Sequence, residues 1–170
     1  AELVNDDSSA ADAEIIATVI DCFNEIGISD FQIEIGQIDY FKGLVAESGI
    51  SEDEEDQIKE YIHIKNFFGL EEYVDALDIS DSLKKAFVAF DSLFGGISML
   101  DKAEGYVSNE TSLEAVKRLR RVYAALECYG YQDHISFDLG MLDGYNYYTG
   151  IIFRGYTYGT GDAVVKGGRY

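Results

Sequence analysis

A chain of 170 residues with 47% hydrophobic and 26% charged side chains has the composition of one globular domain, long enough to bury about two-thirds of its unfolded surface. Its 32 acidic and 13 basic residues leave a net charge of -19, and residues 1–60 hold 17 carboxylates against Lys42 and Lys59, so nucleic acid should be repelled. Two distant cysteines, Cys22 and Cys128, exclude a disulfide scaffold or zinc ribbon, and no apolar run is long enough to span a bilayer.

In chain order, AELVNDDSSAAD has neither the basic start nor the apolar run of a signal peptide, so the chain reads as cytoplasmic. Apolar residues at helical spacing predict a helix over 12–26, stopped by Gly27. FQIEIGQ alternates Phe31, Ile33 and Ile35 with polar residues or glycine, the period of a strand with one buried face. A short helix over 39–46 follows. Ser51 and Glu54 then form a capping box that opens a further helix to about His63. Leucine-bearing acidic segments broken by Gly95 and Gly96 complete a helical insertion at about residues 50–108. Thr111 and Glu114 read as a second capping box, starting a helix that reaches about Cys128 and is stopped by Gly130. The C-terminal part is β: strands over 135–139, 147–158 and 163–170. The fold class is α+β, an antiparallel sheet with packed helices. Tyr170 falls inside a predicted strand with no closing element after it, which suggests a fragment of a larger domain.

Most side chains have a structural reading. Cys22 and Cys128 read as buried thiols, His63 and His134 as structural histidines with no metal site, and no cofactor is implied. Lys117, Arg118, Arg120 and Arg121 read as the solvated back of the helix whose apolar face carries Leu113, Val116 and Leu119. The C-terminal block holds the candidate site. Tyr147 and Tyr148, a glycine-rich hairpin, and Gly167 and Gly168 can form a pocket floor, because glycine lets a ligand approach the backbone and phenols supply an apolar wall with a polar tip. Tyrosines favour strands in any case, and glycines often only mark close packing. Strand parity places Tyr148, Ile152 and Arg154 on one face and Tyr147, Ile151 and Phe153 on the other, so one tyrosine of the pair would point away from a given ligand.

The string LDGYNYYTGIIF, followed by GGRY, resembles the histidine-specific motifs of histidyl-tRNA synthetases and their paralogues. AELVNDDSSAADAEI resembles the stretch just after the second class II synthetase motif, so the resemblance covers the whole chain. It implies part of a class II aminoacyl-tRNA synthetase-like catalytic domain over 1–170. Glu2 would hold the α-amino group of histidine, Tyr147 and Tyr148 would line the imidazole pocket, and Gly167 and Gly168 would close it. Two positions depart from the family pattern: Asp143 stands where the arginine facing the carboxylate and activated phosphate is expected, and Asn146 where an aspartate is expected. An anion at position 143 repels the charge that develops during amino-acid activation, so aminoacylation should be lost.

A relative that keeps the amino-acid pocket and loses the activating arginine resembles the non-catalytic regulatory subunits of ATP phosphoribosyltransferase. That resemblance implies histidine as a feedback ligand and the short-form catalytic subunit as partner, within a hetero-oligomer built on a homodimer. A histidyl-tRNA synthetase fragment, and a pseudo-synthetase module serving another partner, are the alternatives.

Overall fold

Helix α1 (Ser9–Glu25) starts where the Ser8 side chain accepts the Ala11 amide, three residues ahead of the expected start. In the computed structural model, which describes residues 1–170, its Ala13, Ile16, Ala17, Ile20 and Phe23 form the buried stripe that the spacing predicts. The chain reverses through Gly27 into β1 (Phe31–Gln37), whose Phe31, Ile33 and Ile35 are buried. Helix α2 (Ile38–Ser48) follows with no loop, because the Gln37 side chain accepts the Asp39 amide and caps it. Helix α3 (Glu52–His63) has the predicted Ser51–Glu54 capping box.

Next come α4 (Phe67–Asp75), α5 (Asp81–Val88), a 3-10 turn at Ala89–Asp91, β2 (Phe94–Gly95) and α6 (Met99–Gly105). Ile58 of α3 and Leu70, Val74, Leu83 and Phe87 of this stretch enter the same buried cluster as the residues of α1 and β1. Strand β2 has no counterpart in the sequence reading, since two residues carry no periodicity. Helix α7 (Glu110–Tyr129) corrects the second capping box. Asn109 is the cap, taking the Ser112 amide at 2.7 Å while its own amide donates to Glu47, and Thr111 lies inside the helix.

Strands β3 (Ile135–Asp138), β4 (Ile151–Thr157) and β5 (Val165–Gly168) join the others in one five-stranded sheet of order β2-β3-β1-β4-β5. Three of the four pairings are antiparallel; β1 and β3 run parallel, with Ile33 opposite Ile135, so the sheet is mixed. Helices α2 to α7 all lie between β1 and β3, which gives the long crossover a parallel pair requires. Helices α1 and α7 pack on each other and against the sheet: Phe23 meets Phe31 at 5.0 Å and Tyr123 meets Phe137 at 6.0 Å between ring centroids. No helix is long and apolar enough to cross a membrane. Cys22 and Cys128 are exposed rather than buried, because they fall outside the apolar stripes of α1 and α7. His134 stacks on Phe31 at 4.1 Å, and His63 stands exposed at the end of α3.

Candidate functional site: a groove between the N-terminal segment and strands β4 and β5

Strand β4 begins at Ile151, four residues later than the alternation predicts, because the preceding residues form a turn. The amides of Tyr147 and Tyr148 both donate to the Gly144 carbonyl, at 2.7 and 2.9 Å, and Gly144 takes the left-handed φ of 72° that the reversal needs. Strand parity therefore does not separate the two tyrosines. Their rings meet edge to face at 5.0 Å, Tyr147 also stacks on Tyr170 at 5.4 Å, and both line one groove.

That groove has a volume of about 980 Å³ and runs between residues 1–7, α1 and the β4–β5 hairpin. Glu2, Tyr147, Tyr148, Gly167 and Gly168 all line it, together with apolar Ile15, Ile151 and Phe153. The two glycines serve opposite faces of β5. A Cβ on Gly168 would sit 2.7 Å from the Tyr148 ring, and one on Gly167 would collide with the Phe153 ring. Each absence of a side chain thus seats one aromatic ring. Glu2 is exposed on the groove wall and makes no hydrogen bond or ion pair, so its carboxylate is available to a cation.

One part of the groove was not singled out from the sequence. Asp12 on α1 is buried, its side chain 5% exposed, and its two oxygens face two arginines. Arg169 forks onto Oδ1 through Nε at 3.0 Å and Nη2 at 2.7 Å, while Arg118 Nε donates to Oδ2 at 2.8 Å. Arg169 also donates to the carbonyls of Asp6 and Ser8, and Arg118 to that of Asp7. The cluster ties the N-terminal segment, α1, α7 and the end of β5 into one wall. A signal was present: a carboxylate between Ala11 and Ala13 on an apolar helix face needs a buried partner.

Asp143 does not line the groove. It pairs with Arg154 of β4 and has His63 Nδ1 at 3.8 Å. Glu34 lies opposite Arg154 in the β1–β4 register, and burial raises its carboxyl above the ordinary range, with the Asp138 carboxylate adding to the shift. Burial likewise raises Asp138, although the Gly140 amide that it accepts at 2.8 Å opposes the shift. The expected basic cluster is largely neutralised: Arg120 pairs with Asp101 and Glu104, and Arg121 with Glu114.

A histidyl-tRNA synthetase family model matches residues 1–170. Among curated proteins, the chain is 44% identical over 169 residues to an ATP phosphoribosyltransferase regulatory subunit of Acetivibrio thermocellus, covering 99% of this chain and 40% of that protein. The protein of the same name from Clostridium acetobutylicum is 37% identical over 171 residues, 99% of this chain and 42% of its own length. The chain thus spans about two-fifths of these relatives. Among solved structures, an ATP phosphoribosyltransferase regulatory subunit/histidyl-tRNA synthetase from Bacillus halodurans superposes with a TM-score of 0.91 at 32% identity, over 99% of this chain and 44% of that one. Two more remote structures share the fold: a histidyl-tRNA synthetase from Nostoc (TM-score 0.79, 22% identity, 98% of this chain and 41% of that one) and the ATP phosphoribosyl transferase (HisG:HisZ) complex from Thermotoga maritima (0.76, 19%, 96% and 57%). With the class II synthetase-like fold in place and the family model matched from end to end, this chain belongs to the histidyl-tRNA synthetase family.

Proposed function

We propose that the chain is part of the regulatory subunit of ATP phosphoribosyltransferase, and that its groove binds histidine as the feedback signal for histidine biosynthesis. The convergence of Glu2, Tyr147, Tyr148, Gly167 and Gly168 on one groove carries this reading. Free histidine offers an ammonium, a flat imidazole and a carboxylate. The unpaired Glu2 carboxylate suits the first, and the paired phenols suit the second with an apolar face and hydroxyls that donate or accept. The subunit is read as non-catalytic because Asp143 stands, by the resemblance, where activation calls for a cation; in the fold it lies outside the groove, paired with Arg154. The partner is the short-form catalytic subunit, the assembly is a hetero-oligomer built on a homodimer, and the site of action is the cytoplasm. The names of the 44% and 37% identical relatives support this assignment.

Titration calorimetry of the whole protein with histidine, alone and with the catalytic subunit, tests the ligand. Saturable binding to one site per chain is expected. Histidine-dependent exchange between ATP and pyrophosphate tests the competing reading, a histidyl-tRNA synthetase, for which the family model speaks. Robust exchange would overturn the regulatory assignment.

A further inference from the structure

The loop of residues 142–149 carries both groove tyrosines, yet its backbone hydrogen bonds up to Tyr148 are internal to the loop: Tyr145 to Leu142, and Tyr147 and Tyr148 to Gly144. Backbone pairing with the body of the protein resumes only at Thr149, whose amide donates to the Arg169 carbonyl at 2.8 Å. Side chains must hold the rest. Lys42 on α2 donates through Nζ to the Tyr148 carbonyl at 3.3 Å, and the same ammonium lies over the Tyr145 ring, 5.3 Å from its centre. Lys59 on α3 lies over that ring at 4.4 Å, and Phe41 meets it edge to face at 5.7 Å. Lys59 is also paired with Glu55 and Asp56 on its own helix. Lys42 makes no ion pair, in a chain with 32 carboxylates and 13 basic side chains. Seven of the eight lysines make no ion pair, so it is the aim of the half-buried Lys42 ammonium, at a carbonyl and a ring, that indicates a positional role.

We propose that Lys42 is a positioning residue for the groove: from α2 it fixes the Tyr148 carbonyl and the Tyr145 ring, and so sets where the Tyr147 and Tyr148 rings stand. The proposal rests on the histidine reading for its ligand but not for its geometry, and the two can fail separately. Without Lys42 the turn keeps its internal hydrogen bonds and the apolar contacts of Ile38 and Phe41 but loses its one polar tie to α2, so the tyrosine pair moves as a unit.

The experiment is hydrogen exchange by mass spectrometry on the full-length protein, comparing Lys42→Met, Lys42→Arg and Lys84→Met. Lys84 donates to the Asp75 carbonyl at an exposed site and serves as the control. Lys42→Met should speed exchange across residues 142–149 about tenfold and leave α1 and α7 unchanged. Lys42→Arg, which keeps a charged donor, should stay within about threefold of the wild type, and Lys84→Met should have no effect on the loop. In the same variants, histidine affinity should fall about tenfold for Lys42→Met only. Loop exchange unchanged by Lys42→Met would overturn the proposal, as would loosening spread equally over α1 and α7, the mark of general destabilisation. A wild-type protein that binds no histidine would overturn the ligand assignment, and the exchange result would still decide the role of Lys42.

Discussion

Reversing the charge of Asp143 tests why this position carries an anion. Asp143 is 48% exposed and Arg154 22%, so their attraction is screened and contributes about 0.5–1 kcal/mol. Asp143→Arg removes that attraction and sets two guanidinium groups side by side. Two unit charges about 4 Å apart interact by about 1 kcal/mol in water and about 4 kcal/mol at an effective dielectric of about 20. The half-exposed site favours the lower end, so the expected loss of unfolding free energy is about 2 kcal/mol. Arg154→Asp should cost at least as much, since the new carboxylate would face both Asp143 and Glu34. The double variant re-forms the pair in reverse and should recover to within about 1 kcal/mol of the wild type, a coupling of about 3 kcal/mol. Urea denaturation of the whole protein measures the cycle. Coupling near zero would mean that the ion pair does not hold the loop, and that the anion at position 143 has another cause. Neither Asp143→Arg nor the double variant should gain ATP–pyrophosphate exchange.

Within the groove, Glu2→Gln removes the carboxylate proposed to meet the ammonium and should weaken histidine binding at least tenfold by calorimetry, or about 1.4 kcal/mol. Tyr148→Phe keeps the ring and loses a hydroxyl, so about 1 kcal/mol is expected. Gly168→Ala sets a methyl 2.7 Å from the Tyr148 ring; it should displace that ring and lower histidine affinity by more than Tyr148→Phe, whereas equal affinity in the wild type and Gly168→Ala would separate the ring from the ligand. Asp12→Asn leaves Arg118 and Arg169 without their shared anion and should cost about 3 kcal/mol in unfolding free energy. Glu34 has a pKa raised in the folded state, so its ionisation opposes folding: the penalty is absent below the unfolded value of 4.5 and grows as pH rises through the raised value. Glu34→Gln should therefore raise the melting temperature at pH 7 and have little effect near pH 4, and a gain confined to low pH would refute that sign.

The elements with a long period or a strong punctuation residue were legible: α1, β1, the capped start of α3, and the Gly130 end of α7. Departures arose where a second group competed for the same backbone. Asn109 takes the Ser112 amide and starts α7 two residues early, which puts Thr111 inside the helix, and hydrogen bonds to the Gly144 carbonyl convert a predicted strand start into a turn. That turn matters most for the site, because period-2 reasoning had sent Tyr147 and Tyr148 to opposite faces, whereas the turn brings both rings to one groove. The parallel β1–β3 pairing left no local trace, since it depends on the path of all the helices between those strands.

The basic run on α7 shows how an isolated charge cluster misleads in both directions. As a sequence feature it is the one candidate for phosphate contact in an acidic chain, and its bland reading is a solvated face. The solvated face describes Lys117 and Arg121, which are exposed, and half-buried Arg120, which pairs at the surface, but not Arg118, which is 17% exposed and aimed inward at Asp12; Arg120 and Arg121 bind neighbouring carboxylates. Of the four basic residues only Lys117 makes no ion pair, so a nucleic-acid phosphate would have to displace carboxylates already bonded at 2.5 to 2.8 Å. Each displaced carboxylate would add repulsion to a surface already at -19. The arginines therefore act within the fold, and Arg118 acts at the groove itself: through Asp12 it is joined to Arg169, which follows directly on the glycine pair that seats the aromatic rings. Residues remote in sequence, from α7 and from the end of β5, thus meet on one carboxylate of α1, and the shape of the groove depends on that carboxylate as much as on the tyrosines.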